Sequence, residues 1–90
     1  QMSDPLKITA QGTPNPNAAK FTLNRQVAAQ GTTYRDAAAT PAGWAQQLLQ
    51  LPGVTQVFAL NNFVSVTKQP EANWNDLGPR IEDILRQTFV

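Results

Sequence analysis

The chain has 90 residues, 41% hydrophobic and 14% charged, with 7 Lys plus Arg against 6 Asp plus Glu and a net charge of +1. That is the balance of a folded chain with one hydrophobic core, read as a single domain over residues 1–90 with Gln1 ahead of Met2 as a cloning or protease remnant. Cysteine and histidine are both absent, which removes disulfides, thiolate and imidazole metal ligands, thiol nucleophiles and the commonest general base together.

Residues 6–11 alternate, with Leu6, Ile8 and Ala10 against Lys7, Thr9 and Gln11. That period predicts a half-buried strand. The run Gly12-Thr13-Pro14-Asn15-Pro16-Asn17 then breaks it. Each proline fixes its own φ and pushes the residue before it towards extended backbone, so the loop is stiff for its length. A second strand follows, with Phe21 and Leu23 on one face and Lys20, Thr22 and Asn24 on the other. Residues 28–39 are Ala-rich with Gly31 and two threonines, and read as a loop with a short helical turn near 35–39. Thr40-Pro41 marks a helix start, cap then first-turn proline. Trp44, Ala45, Leu48, Leu49 and Leu51 form its apolar stripe, and Pro52-Gly53 ends it.

Residues 54–60 form a third strand whose inward face is ambiguous, because both alternating sets hold apolar residues. Asn61-Asn62 makes a tight turn, and residues 63–68 a fourth strand with Val64 and Val66 on one face. Residues 73–90 carry Trp74, Leu77, Ile81, Ile84, Leu85 and Phe89 at three- and four-residue steps, an amphipathic helix. Gly78-Pro79 near its beginning predicts an irregular first turn or a bend. The order β-β-α-β-β-α favours a two-layer α+β fold. The expectation is a four-stranded, mainly antiparallel sheet with two helices on one face. The other face, with Lys7, Thr9, Thr22, Ser65 and Thr67, is expected to be polar.

Three blocks resemble one family. Thr13-Pro14-Asn15-Pro16-Asn17-Ala18-Ala19-Lys20-Phe21 is similar to its opening signature, and Gly53 to Phe58 with Asn62 to Lys68 to its central hairpin. Trp74-Asn75-Asp76-Leu77-Gly78-Pro79-Arg80-Ile81 is similar to its closing helix. In order and spacing, over residues 7–89, they resemble the N-terminal domain of Nfu/NifU-type iron–sulfur scaffold proteins. One departure is an apparent insertion at Ala42-Gly43. In two-domain members this domain precedes another whose Cys-x-x-Cys pair holds the cluster, and no cysteine here replaces it. The resemblance therefore implies a free-standing accessory module linked to iron–sulfur maturation, with iron–sulfur assembly or client proteins as partners, not a scaffold in itself.

The partner-binding candidates are Thr13, Pro14, Asn15 and Asn17 in the pre-ordered loop, with Lys20 and Lys68 as the basic residues of the matching blocks. Proline lowers the entropy lost on docking, and Asn amides can read a peptide backbone. The competing account is that the asparagines cap their own turn and the lysines are solvated charges. Trp44 and Trp74 sit in helical apolar stripes and read as core. Nothing suggests catalysis, a cofactor or a metal: no nucleophile–base pair is evident, and the acids lack calcium-loop spacing. Lys7, Lys20, Arg25, Arg35, Lys68, Arg80 and Arg86 nowhere form a run, which argues against nucleic acid. No apolar stretch suits a membrane span and no leader is evident, which makes the cytoplasm, or an organelle matrix, the default compartment. Oligomeric state is not readable. A general peptide- or protein-binding adaptor unrelated to clusters remains the alternative function.

Because iron–sulfur clusters are normally held by Cys, with His in some centres, anaerobic incubation with iron and sulfide followed by desalting should leave no visible charge-transfer band. A band that comigrates with the folded chain would overturn this expectation.

Overall fold

The alternation in residues 63–68 becomes the middle strand of an antiparallel sheet. The computed structural model describes residues 5–40 and 43–89. Its elements are β1 (Ile8–Gly12), β2 (Ala18–Leu23), β3 (Ala28–Tyr34), a 3₁₀ turn (Ala37–Ala39), α1 (Gly43–Leu49), β4 (Val54–Asn61), β5 (Phe63–Lys68) and α2 (Trp74–Phe89). The strand order is β1-β2-β5-β4-β3, every neighbour antiparallel. The α+β class and the helices on one face agree with expectation, but the sheet has five strands, not four.

The added strand is β3, expected as a loop. Its pairing with β4 shifts register between Ala28 and Thr32. That irregularity breaks the period-two pattern, and Ala-Ala-Gln-Gly supplies little β propensity ahead of Thr32, Thr33 and Tyr34. The short turn does form, at Ala37–Ala39, with Asp36 Oδ1 accepting from the Ala38 N–H at 3.0 Å. Thr40, expected to cap the first helix, donates its hydroxyl to the Asp36 carbonyl at 2.7 Å and closes this turn. Pro41 and Ala42, expected at the helix start and in the insertion, lie outside the described residues.

Phe21, Leu23, Val57, Ala59, Val64 and Val66 of the sheet meet Ala45 and Leu48 of α1 and Leu77, Ile81 and Leu85 of α2, all buried. This resolves β4: Val57 and Ala59 face the helices, and Phe58 and Leu60 face away. The far face is therefore not purely polar. Phe58 and Phe63 pack there with ring centroids 6.0 Å apart, and Lys20 Nζ lies 4.5 Å above the Phe63 ring. A Cβ on Gly31 would stand 3.2 Å from Phe58 Cζ, so this outer cluster is closely seated.

Asn73 starts α2, its Oδ1 accepting from the Asn75 N–H at 2.8 Å and its carbonyl from Asp76 and Leu77, each at 3.0 Å. This is an N-cap. The helix runs on through Pro79. Proline there lacks the N–H that would bond Asn75, and Gly78 lacks the Cβ that would crowd the proline ring.

Width explains what the helices leave bare. Strands lie about 4.8 Å apart and packed helices about 10 Å apart, so two helices cover roughly four strands. Trp44 of α1 touches Tyr34 of β3, with centroids 6.1 Å apart, and Trp74 of α2 touches Phe21 of β2, with centroids 6.5 Å apart. The helices thus sit over β3 to β2, and β1 is uncovered: every residue from Thr9 to Gly12 is exposed.

Gly53 is required where the chain enters β4. Its φ is 95°, and an added Cβ would lie 2.6 Å from Ala72 Cβ. Left-handed backbone costs an L-residue about 1–2 kcal/mol and overpacking about 1–3. Gly53→Ala should therefore lower stability by about 3 kcal/mol in urea unfolding; an unchanged midpoint would mean the turn is not held in this conformation.

Candidate functional site

The loop from Thr13 to Asn17 is bound to itself. Thr13 Oγ1 donates towards the Asn15 and Ala18 carbonyls, at 2.8 and 3.0 Å, and accepts from the Asn15 N–H at 3.1 Å. Asn15 Oδ1 accepts from the Asn17 N–H at 2.9 Å, and its carbonyl from the Ala18 N–H at 3.0 Å. These are Asx- and ST-type bonds that replace a ladder where prolines have removed donors. Most of the polar groups expected to read a partner are thus spent on shaping the loop.

The Lys68 backbone N–H donates to the Asn17 carbonyl at 2.7 Å, and two side chains tie the loop further to the rest of the fold. Trp74 Nε1 donates to the Pro16 carbonyl at 3.1 Å, joining the loop to the first turn of α2. Lys68, at the end of β5 on the helix side, is only 8% exposed. Its Nζ donates to Asn17 Oδ1 at 3.1 Å and to the Gln69 carbonyl at 3.3 Å, and lies 5.7 Å from the Trp74 ring centroid. A buried charge persists only where oxygens replace its lost water, and Asn17 supplies one of them.

Beside the loop lies a groove of about 320 Å³. The buried Phe21 side chain and Ala19 lie at its base, Ala10 to Gly12 along one side, and Trp74, Gly78 and Glu82 of α2 along the other. Thr13, Asn15 and Pro16 close one end. Trp74, Gly78 and Glu82 are four residues apart and form one row on the helix, beside the core row Leu77, Ile81 and Leu85. Gly78 is thus the low point of one wall, and Ala10 and Gly12 keep the other wall low. The groove exists because β1 is bare and because the residues facing across it are small.

Thr13, Pro14, Asn15, Asn17 and Lys68 gather at this end of the sheet. Lys20 does not join them. Its side chain is on the opposite face, over Phe63. Ala10, Trp74, Gly78 and Glu82 were not among the candidates. The signal for them is slight but present: the inward series Leu6, Ile8, Ala10 and Gly12 tapers in size, and a glycine sits inside an otherwise regular helix at a cost of about 1 kcal/mol.

The model of a family described as "Scaffold protein Nfu/NifU N terminal" matches residues 8–90. The chain is similar to the NFU1 iron-sulfur cluster scaffold homolog, mitochondrial, of Drosophila persimilis: 31% identity over 86 residues, covering 92% of this chain and 30% of that protein. It is similar to conserved virulence factor C of Staphylococcus aureus, with 34% identity over 76 residues covering 83% of this chain and 20% of that protein. The chain therefore spans under a third of the length of these relatives. Among solved structures, a NifU-like protein from Saccharomyces cerevisiae matches with a TM-score of 0.80 and 27% identity, over 97% of this chain and 82% of that one. Protein SAV1430 from Staphylococcus aureus matches with a TM-score of 0.79 and 30% identity, over 88% and 98%.

Asn17→Ala removes an acceptor from a buried ammonium and should cost about 2 kcal/mol in urea unfolding. Trp74→Phe keeps most of the ring but loses the bond to Pro16, and should cost about 1 kcal/mol. Losses under about 0.5 kcal/mol for both would show that the loop is not held by these contacts.

Proposed function

The chain belongs to the Nfu/NifU N-terminal family, and from that premise we propose that it is a non-catalytic protein-interaction module of iron–sulfur cluster assembly or delivery that holds no cluster itself. The absence of Cys and His supports the last clause. The matched Drosophila protein is named as a cluster scaffold, and this chain corresponds to 30% of its length. A role in recognising proteins of the same process is the reading that fits this family and a sequence without Cys or His.

The observation that carries the proposal is the groove with its finished rim. Well-packed pockets that take a partner's anchor or alternate side chains are where proteins recognise one another. Here the rim residues Thr13 and Asn15 are held by bonds within the loop, and Pro16 by the bond from Trp74. Their ordering cost is met during folding and is not charged again on binding. Asn17, Lys68 and Trp74 fix the rim from behind. Lys20, on the far face, meets a groove-bound partner only if that partner wraps the sheet.

An affinity-tagged chain expressed in its source organism tests the reading. A Cβ at Gly12 meets nothing within 4 Å, so Gly12→Leu fills the groove without disturbing the core. Proteins that carry or assemble clusters should dominate the retained fraction, and Gly12→Leu should retain at least about tenfold less of them, a difference of about 1.4 kcal/mol. Lys20→Ala should differ from the parent by less than about twofold. Recovery of proteins unrelated to clusters, in the parent but not in Gly12→Leu, would leave a general binding adaptor as the function. Equal recovery by all three would place the binding surface away from the groove.

A further inference from the structure

Edge strands expose a row of unpaired backbone groups, and folds usually guard them with charge, proline or a bulge. The edge strand β3 has its register shift between Ala28 and Thr32. The edge strand β1 reads Ile-Thr-Ala-Gln-Gly, with no charge and no proline, and pairs with β2 in unbroken register from Ile8↔Leu23 to Gly12↔Ala19. Of the two edges, the one beside the groove is the unguarded one.

The direction of its free groups follows from the ladder. The Asn24 N–H donates to the Lys7 carbonyl at 3.2 Å, so the Lys7–Asn24 pair is a hydrogen-bonded one. The Leu23 N–H donates away from β1, to the Asn62 carbonyl at 2.7 Å. Antiparallel pairs alternate between bonded and non-bonded. Thr9 and Gln11 therefore bond β2, whereas Ile8, Ala10 and Gly12 turn their N–H and C=O groups outward. The same residues share the sheet face that carries Phe21, the face on which the groove lies. Backbone vacancies and groove coincide.

We propose that the groove takes an extended segment of a protein partner, added as a sixth strand to β1, with alternate apolar side chains entering between Ala10 and Gly78. This rests on the reading of the groove as a partner-binding surface. A strand added to an edge gains affinity from main-chain bonds and specificity from pockets for alternate side chains, and this edge offers both. Glu82 is the one charged residue lining the groove among the described residues, so the segment is neutral or basic rather than acidic. A second copy fits less well. Pairing β1 with β1 across a twofold would satisfy the backbone but place two bare strands side by side, leaving the apolar groove open.

The probe is a displayed library of random nonapeptides selected against the whole chain. Enriched peptides should alternate apolar with polar residues and shift the backbone amides of Ile8, Ala10 and Gly12 in NMR titration. Methylating peptide nitrogens one at a time should weaken binding at every second position by about tenfold or more and leave the others near parent, because only alternate groups face β1. Ala10→Pro removes one outward N–H, a place where an edge strand tolerates proline, and should also lose at least about tenfold in affinity. If that variant melts early, the methylation scan decides, since it leaves the protein unchanged. No enrichment, a scan without alternation, peptides that shift Phe58 and Phe63 instead, or concentration-dependent self-association through β1 would each overturn the proposal. None of these outcomes bears on whether cluster proteins co-purify with the chain, so the two readings fail separately.

Discussion

Two helices are too narrow for five strands, and most of what is distinctive in this fold follows from that mismatch. Helices about 10 Å apart shield roughly four strands. The pair here is anchored over β3 by Trp44 against Tyr34 and over β2 by Trp74 against Phe21. What remains is β1, exposed along most of its length. A bare strand with large apolar residues would be an aggregation hazard. This one carries Ala10 and Gly12, and the facing row of α2 carries Gly78. The outcome is a recess rather than a sticky ridge, in which the buried Phe21 is the substantial apolar side chain underneath.

The recess keeps its shape through polar contacts at one end of the sheet. Trp74 links α2 to the loop through Pro16, and Lys68 links β5 to the loop through Asn17. Neither bond is strong alone, since a net hydrogen bond contributes about 1 kcal/mol and one to a charged group somewhat more. Their value is geometric. They join the loop, the central strand and the second helix at one point, so the two walls are held at a fixed separation. The ammonium is the sensitive member, because removing its acceptor leaves a buried charge short of partners, which costs more than the bond contributes.

Much of this architecture is legible in the residues. Val64 and Val66 alternate cleanly and are buried, and Leu77, Ile81 and Leu85 repeat at helical spacing and are buried. The helix runs through Pro79 because the glycine before it relieves the crowding that period alone cannot see. β3 escapes a reading by alternation because its register shifts partway along. Phe58 and Phe63 were expected on strands but not as a joint cluster: their meeting depends on the β4–β5 register, which pairs Phe58 with Ser65 and Leu60 with Phe63. The loop was visible as stiff and polar, whereas the destination of its polar groups depends on Lys68 and Trp74, far along the chain. The groove is the least legible feature, since it is made of side chains that are absent or small. Its prolines and the family resemblance both mark the loop, and only packing separates Lys20 on one face from Lys68 on the other.

The place of β5 also has a consequence for how the chain reaches this state. β5 is in the middle of the sheet, yet it comes near the end of the chain, and its partner β2 comes near the beginning, with Lys20 opposite Ser65. The hairpins β1–β2 and β4–β5 are local and can form early, but the seam between β2 and β5 closes a long loop whose entropy must be overcome first. Until that seam closes, Phe21 and Leu23 have no helix to cover them, because α2 follows β5. During synthesis from the N-terminus, the first hairpin therefore waits with its apolar face open until almost the whole domain has left the ribosome.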